Sequence, residues 1–231
     1  MLSELLKSNL PKEISENNSG EISSANKIQL LKEKDYYIMD IELDGDAPKS
    51  FIKAYFYKKN SGVKRRSLKT WAAFIAKSAE KWYPHESFIE YMINRIGIEL
   101  GLNMNNVKLV RANGQIRFLS EYFLSPNEAL THGAEICGSY LEDHEMAKQI
   151  ANHKKTAREL FTFEFISKAI EFVFPSAFEE ILLDLVKMIA FDALVGNNDR
   201  HFYNWGVIDT IKRSKKRPKF APIYDSARGL L

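Results

Sequence analysis

Three oxygen-bearing side chains in the last part of the sequence are spaced for metal-assisted chemistry. Asp199 and Asn204 lie five residues apart in NNDRHFYNWGVI, and Asp225 follows in FAPIYDSARG. Each flanks an apolar, strand-like piece, so rigid elements would hold these side chains at strand ends. Mg²⁺ takes hard oxygen ligands, one or two from carboxylates and the rest from phosphates and water. Asn204 and Asp225 on neighbouring strands would meet that need, and Asp199, not shared with the metal, could then orient an attacking hydroxyl. A bland reading stands beside this one. Asn197, Asn198 and Asp199 can cap the preceding helix and turn the chain, His201 can be a satisfied structural histidine, and Asp225 can cap a following helix.

Hydrophobic periodicity supplies the elements that must position these residues. Residues 1–26 are rich in Ser, Asn, Glu and Lys without a sustained period and read as a flexible tail. From Lys34 to Tyr57, YYIMDIEL and SFIKAYFY are strand-like, with the turn residues DGDAP between them. A basic loop, KKNSGVKRRS, leads to a strand from Trp71 to Lys77, and KWYPHE breaks the chain before a helix starting near Glu86. The spacing predicts that Phe88, Ile89, Met92, Ile93, Ile96 and Leu100 form the buried face of that helix and that Gly101 stops it. VKLVR and IRFLSEYF, joined through Asn113-Gly114, predict a hairpin.

Beyond Phe123 the period becomes helical. One helix is expected over residues 155–173 and, after Pro175, a second, with Ser176 and Glu179 as a capping box. The second helix should bury Phe178, Ile181, Leu182, Leu185, Met188, Ile189 and Leu194 and end at Gly196. WGVI and KFAPIY then form two extended pieces around the basic loop KRSKKRPK. The layout predicted is α+β and bilobal: a tail over 1–26, a small strand-rich lobe over 27–125, and a helical lobe over 126–231 carrying the chemistry.

Composition bounds the rest. A chain of 231 residues with 45% hydrophobic content is globular rather than disordered, and its net charge of +3 is too small to mark a nucleic-acid binder by bulk electrostatics. The single cysteine, Cys137, excludes an internal disulfide framework and suits a reducing compartment. Its apolar neighbours point to a buried, inert thiol. No apolar run approaches the roughly eighteen residues of a transmembrane helix, and MLSELLKSNLPKEISENNSG lacks the apolar core of a signal peptide. A cytoplasmic protein without membrane contact is expected.

Asp-x-x-x-x-Asn is the catalytic-loop spacing of protein kinases. More specifically, ALVGNNDRHFYNWGVI followed by APIYDSARGLL resembles the HipA-like kinases, bacterial serine/threonine kinases of toxin–antitoxin modules. The resemblance covers roughly residues 50–231. It implies a protein-kinase-like fold that binds ATP and Mg²⁺, with Asp199 as catalytic base, His201 bracing the loop, and Asn204 and Asp225 as metal ligands. AAFIAK and PHESFIEYMINRIGIELGL are similar to the family's ATP-lysine strand and glutamate-led helix. This implies Lys77 as the phosphate-binding lysine and Glu86 as its partner, with Lys53 the rival lysine and Glu90 the alternative glutamate. The hairpin resembles the strand pair leading to the hinge, so Glu121, Tyr122 and Phe123 would line the adenine.

The sequence departs from the pattern in three ways. It has no G-x-G-x-x-G, Asp225 is followed by Ser226-Ala227, and Leu231 comes soon after the metal ligand, where family members usually continue with more helices. A fragment, a truncated gene or one part of a split kinase is therefore expected. Ser61 and Ser67 occupy a loop comparable to one that some relatives autophosphorylate, although an ordinary solvated basic loop is the preferred reading for either. The resemblance further implies a protein substrate, such as an aminoacyl-tRNA synthetase, and an antitoxin-type DNA-binding partner. KRSKKRPK reads as a solvated loop rather than a nucleic-acid site. Asp-Arg-His-x-x-Asn is also similar to the catalytic loop of phosphatidylinositol kinases, and a non-catalytic nucleotide-binding partner is a further alternative.

Overall fold

The computed structural model describes residues 28–41, 49–57, 62–78, 85–212 and 216–230. The expected tail, the DGDAP turn and Ser61 lie outside these residues. The N-terminal lobe is a six-stranded sheet with one helix against it. In chain order its elements are β1 (Gln29–Leu31), β2 (Tyr36–Ile38), β3 (Lys49–Ala54), β4 (Ala72–Lys77), α1 (Glu86–Glu99), β5 (Val107–Ala112) and β6 (Gln115–Glu121). Their order across the sheet is β1-β5-β6-β4-β3-β2. Only β1, which the sequence pattern did not suggest, runs parallel to its neighbour, β5. Alternation along the strands buries Leu31, Ile52, Ala54, Phe74, Val110, Ala112 and Leu119 in one apolar layer. The β5–β6 turn has Asn113 at φ 47° and Gly114 at φ 74°, the left-handed pair that a two-residue hairpin requires.

Helix α1 corrects the periodicity. Its buried residues are Ser87, Glu90, Ile93, Asn94 and Gly97, whereas Phe88, Met92 and Leu100 are exposed. Ile89 and Ile96 pack against the core, so the helix is rotated from the purely apolar solution and turns a polar face inward. That face lines the space between the lobes. Gly97 sits against Met104, leaving no room for a Cβ there.

The second lobe begins with β7 (Glu128–His132), a strand unanticipated from sequence, which pairs with β8 (Gly206–Thr210) and through it with β9 (Lys219–Phe220). Between β7 and β8 run α2 (Gly133–Leu141), α3 (His144–Asn152), α4 (Lys154–Leu160), α5 (Phe163–Val173) and α6 (Phe178–Val195). The single helix expected over 155–173 is two. Phe161 leaves helical geometry at φ −90°, ψ 65°, and the Thr162 hydroxyl caps α5 by accepting from the Phe165 N–H. The capping box at Ser176 does not form either. A 3-10 turn over Pro175–Ala177 precedes α6, and the cap residue, Ala177, has no side-chain bond to give. Helix α6 buries Ile181, Leu185, Met188, Phe191, Asp192 and Val195, leaving Ile189 and Leu194 exposed, and ends at Gly196 with φ 70°. Cys137 is buried on α2, and burial pushes its thiol up to about 12. No helix among the described residues is long and apolar enough to cross a membrane.

Candidate active site

The site forms where α1, β4 and the segment after β9 converge. Leaving α1, the chain pairs with the approach to Asp225. Met104 and Ile223 form a parallel bridge, the Asn105 N–H donates to the Ile223 carbonyl at 2.9 Å, and the Ile223 N–H donates to Asn103 at 2.8 Å. This seam brings Asp225 to the end of β4. Lys77 Nζ donates to Glu90 Oε1 at 3.0 Å and to Asp225 Oδ1 at 2.8 Å. Thus Glu90, the alternative from sequence, is the residue paired with Lys77. Glu86, one turn earlier, instead meets Arg228 at 3.5 Å. Lys53 lies on β3 opposite Ala73, and Lys77 is the lysine that reaches the cleft acids.

The charges of this triad follow from their surroundings. Burial alone would lower the Lys77 ammonium, but Glu90 and Asp225 outweigh it and hold its pKa above the ordinary value. Burial pushes the Glu90 carboxyl up, against the pull of Lys77 and with reinforcement from Asp225. For Asp225 burial acts upward too, yet its side chain is 41% exposed, and Lys77, Arg200 and His201 hold its carboxyl below the usual range. Asp225 also adopts a left-handed backbone, φ 55°, which costs energy in a non-glycine residue and turns the chain sharply beside the lysine. Behind the triad is a small cavity lined by Glu90, Asn94, Asn105, Ser120 and Ser226, among others. Asn94 Oδ1 is buried there with no hydrogen-bond partner among the described residues.

Across the cleft, the loop after α6 carries Asp199 and Asn204, and an arginine between them organises it. Arg200 Nε and Nη2 donate to the two oxygens of Asp192 on α6 at 2.8 and 2.9 Å. Nη1 donates to the carbonyls of Asn204 at 2.8 Å and Tyr224 at 2.6 Å, and Nη2 also reaches Ser226 Oγ at 2.9 Å. One guanidinium therefore ties the helix, the loop and the Asp225 segment into a unit. Asn197 extends the network: its Nδ2 donates to Asp192 Oδ1 at 2.8 Å, and its Oδ1 accepts from the Asp199 N–H at 3.4 Å. The sequence offered one overlooked signal, Asp192, a lone carboxylate on the buried face of an apolar helix, which demands a partner.

Asn204 is buried and its Nδ2 donates weakly to the Asp199 carbonyl at 3.4 Å, which directs the amide nitrogen into the loop. The Asn204 amide oxygen and the Asp225 carboxylate are the donor types that could hold Mg²⁺ together with phosphate and water. Among the described residues there is no cluster of three or more His, Cys, Asp or Glu that would hold a metal unaided. The Asp199 carboxylate is half-exposed and meets Lys154 Nζ at 3.4 Å. His201 is exposed, and its Nδ1 accepts from the Tyr203 N–H at 3.3 Å inside the same loop. The loop is further anchored to the N-terminus of α2, where Gly133 and Ala134 N–H donate to the carbonyls of Trp205 and Phe202 at 3.1 and 3.2 Å.

At the other edge, the Glu121 N–H donates to Asn106 and the Tyr122 N–H to Ala73, both at 2.9 Å. The Glu121 carbonyl accepts from Asn105 Nδ2 at 2.9 Å. Tyr122 packs edge-on against Phe51 at 5.3 Å, and Phe123 lies 5.7 Å from the ring of Tyr224. The Tyr224 hydroxyl donates to the Tyr203 carbonyl at 3.1 Å, and burial pushes the pKa of this phenol up. Ser67 lies in a turn in which its N–H donates to Lys64 at 2.9 Å. The neighbouring Arg65 is engaged with Asp35 and lies over the ring of Tyr55. In the basic loop, Arg217 pairs with Glu180 at 3.0 Å and Lys216 with Glu128 at 3.6 Å, so both cations bind their own chain.

A strand-rich lobe holding a lysine–glutamate pair, joined to a helical lobe with an Asp-x-x-x-x-Asn loop, defines a protein-kinase-like fold. Residues 41–229 match the HipA-like C-terminal domain, and the chain belongs to that family. Similar solved structures include the Helicobacter pylori proinflammatory kinase CtkA, 20% identical over 87% of this chain and 61% of that one, with a TM-score of 0.62. HipA of Shewanella oneidensis MR-1, solved with HipB and operator DNA, is 17% identical over 82% of this chain and 45% of that one, with a TM-score of 0.51. The chain therefore spans less than two thirds of the length of either protein. No curated protein matches the sequence.

Proposed function

We propose that this chain transfers the γ-phosphoryl group of ATP, with Mg²⁺, to a serine or threonine hydroxyl of a protein. The observation that carries this reading is the convergence of Lys77, Glu90 and Asp225 opposite a loop in which Arg200 holds the Asn204 carbonyl and Asn197 holds the Asp199 N–H. Lys77, oriented by Glu90, would hold the α- and β-phosphates. Asn204 and Asp225 would hold Mg²⁺, which when bound neutralises phosphate charge. The Glu121 and Tyr122 N–H groups are already used within the N-terminal lobe, so adenine would meet the Tyr122 carbonyl and the backbone of Phe123. Asp199 would align the acceptor hydroxyl and take its proton, while His201 keeps the loop in shape. Catalysis would be positioning and charge neutralisation rather than covalent participation by the protein. HipA of Shewanella is seen with HipB, and a comparable DNA-binding partner is part of this reading.

Thermal stabilisation by ATP·Mg²⁺, measured alongside phosphate transfer, tests it. Asp199→Ala should abolish transfer while stabilisation by ATP·Mg²⁺ survives. Asp225→Ala should lose both the transfer and the Mg²⁺-dependent part of the stabilisation. A wild-type chain that binds ATP·Mg²⁺ without turnover would instead be a nucleotide-binding partner.

A further inference from the structure

Lys154 pairs with the candidate base, and neither the motif nor the fold accounts for it. It comes from α4, 45 residues before Asp199, and its Nζ lies 3.4 Å from Asp199 Oδ1. The side chains are 58% and 47% exposed, and an ion pair that open contributes little to stability. Local helix energetics do not call for a lysine either. Lys154 and Lys155 open α4, whose first turn contains no acid, although the positive end of a helix favours carboxylates. Yet the position is held firmly with respect to the loop. Ala157 is buried, and Phe161 at the end of α4 packs edge-on against Phe202 of the loop at 4.9 Å. His153 and Thr156 close the first turn through a 2.8 Å contact between Thr156 Oγ1 and His153 Nδ1.

We propose that Lys154 is a catalytic residue of the phosphoryl transfer, contacting the transferring phosphoryl oxygens while Asp199 aligns the acceptor. The inference rests on the kinase reading above. Its geometric basis is reach: Nζ stands 3.4 Å from Asp199 Oδ1, so a hydroxyl bonded to Asp199, and the phosphorus it would attack, would come within a side-chain length of it. In the step, the acceptor oxygen forms a bond to Pγ as the bond from Pγ to the β–γ bridging oxygen breaks. ADP departs with that electron pair, and the acceptor proton passes to the Asp199 carboxylate. The Lys154 ammonium keeps its protons throughout and donates hydrogen bonds to the equatorial oxygens, where charge is spread in the transition state.

The test compares wild type with Lys154→Met, Lys154→Arg, Lys155→Met and Asp199→Ala, each as the full chain. Transfer is followed in single turnovers from ATP·Mg²⁺ to a degenerate serine/threonine peptide library. Lys154→Met should slow transfer about 100–1,000-fold, the range for loss of one donor to developing charge, with the ATP concentration for half-maximal rate unchanged. Lys154→Arg should recover most of the rate, and Lys155→Met should match wild type. Thermal stabilisation by ADP, Mg²⁺ and aluminium fluoride should drop in Lys154→Met, while stabilisation by ATP·Mg²⁺ stays. If wild type transfers, Asp199→Ala does not, and Lys154→Met equals wild type, the role of Lys154 is overturned and the kinase reading stands. Equal loss of melting temperature and ATP binding in both Lys154 variants would make the residue structural and also overturn it. A wild type that neither binds nor transfers overturns both readings.

Discussion

At the scale of single residues, Arg200 has the most to do. Its fork binds both oxygens of Asp192, and the same guanidinium holds the carbonyls of Asn204 and Tyr224. Both side chains of the Arg200–Asp192 pair are only 9% exposed. Removing one partner of a buried pair leaves an uncompensated charge, so Arg200→Met should cost about 3–5 kcal/mol in urea unfolding. Arg200→Lys keeps the charge without the planar fork and should fall between wild type and Arg200→Met in stability. Its effect on ATP·Mg²⁺ affinity should exceed its effect on stability, because the carbonyls of Asn204 and Tyr224 lose their shared donor. An unaltered nucleotide affinity in Arg200→Lys would remove the residue from the site's support. The sequence motif contained this arginine but gave no sign of its reach, because its partners lie 8 and 24 residues away along the chain.

At the scale of elements, the loop is only as well placed as the helix it leans on. The N-terminus of α2 donates two backbone hydrogen bonds to the loop, and Gly133 lies so close to Trp205 that a Cβ would stand 2.3 Å from the indole. Trp205 is itself sandwiched, with Phe220 stacked at 6.1 Å on β9, so it has little freedom to yield. Gly133→Ala should therefore destabilise the lobe by about 1–3 kcal/mol through overpacking. Urea unfolding checks this, and tryptophan fluorescence should report the displaced indole. Elements like these were partly legible. The β5–β6 hairpin followed from Asn113-Gly114, and the ends of α1 and α6 followed from Gly101 and Gly196, because left-handed positions have a local signature. The inward face of α1 was not legible. Glu90 and Asn94 are buried there by what they face, a cleft shared with β4 and Asp225, and the apolar spacing of Met92 and Leu100 pointed the other way. Strand β7 escaped because its single ladder partner, β8, lies across five helices.

At the scale of the whole molecule, Lys77 fastens the lobes together. It extends from the N-terminal sheet and bonds to Asp225, 148 residues later, at 2.8 Å, while Glu90 holds the same ammonium at 3.0 Å. The sequence made all three residues candidates, but it could not show that one lysine serves both carboxylates. That sharing sets up a competition. A divalent cation on Asp225 would compete with the lysine for this carboxylate, and a displaced lysine would rest on Glu90 alone, close to where the α- and β-phosphates would lie. Nucleotide and metal would thus be coupled, since phosphate oxygens give the released ammonium a new partner. Removing the lysine should uncouple them. Lys77→Met takes away both a competitor and a like charge, so Mn²⁺ binding without nucleotide, followed by paramagnetic resonance, should tighten by about tenfold, or about 1.4 kcal/mol. ATP should then add little to Mn²⁺ affinity in the variant, whereas in wild type it should add much. Mn²⁺ binding that weakens in Lys77→Met would mean that the lysine supports the metal site, and the competition would be discarded.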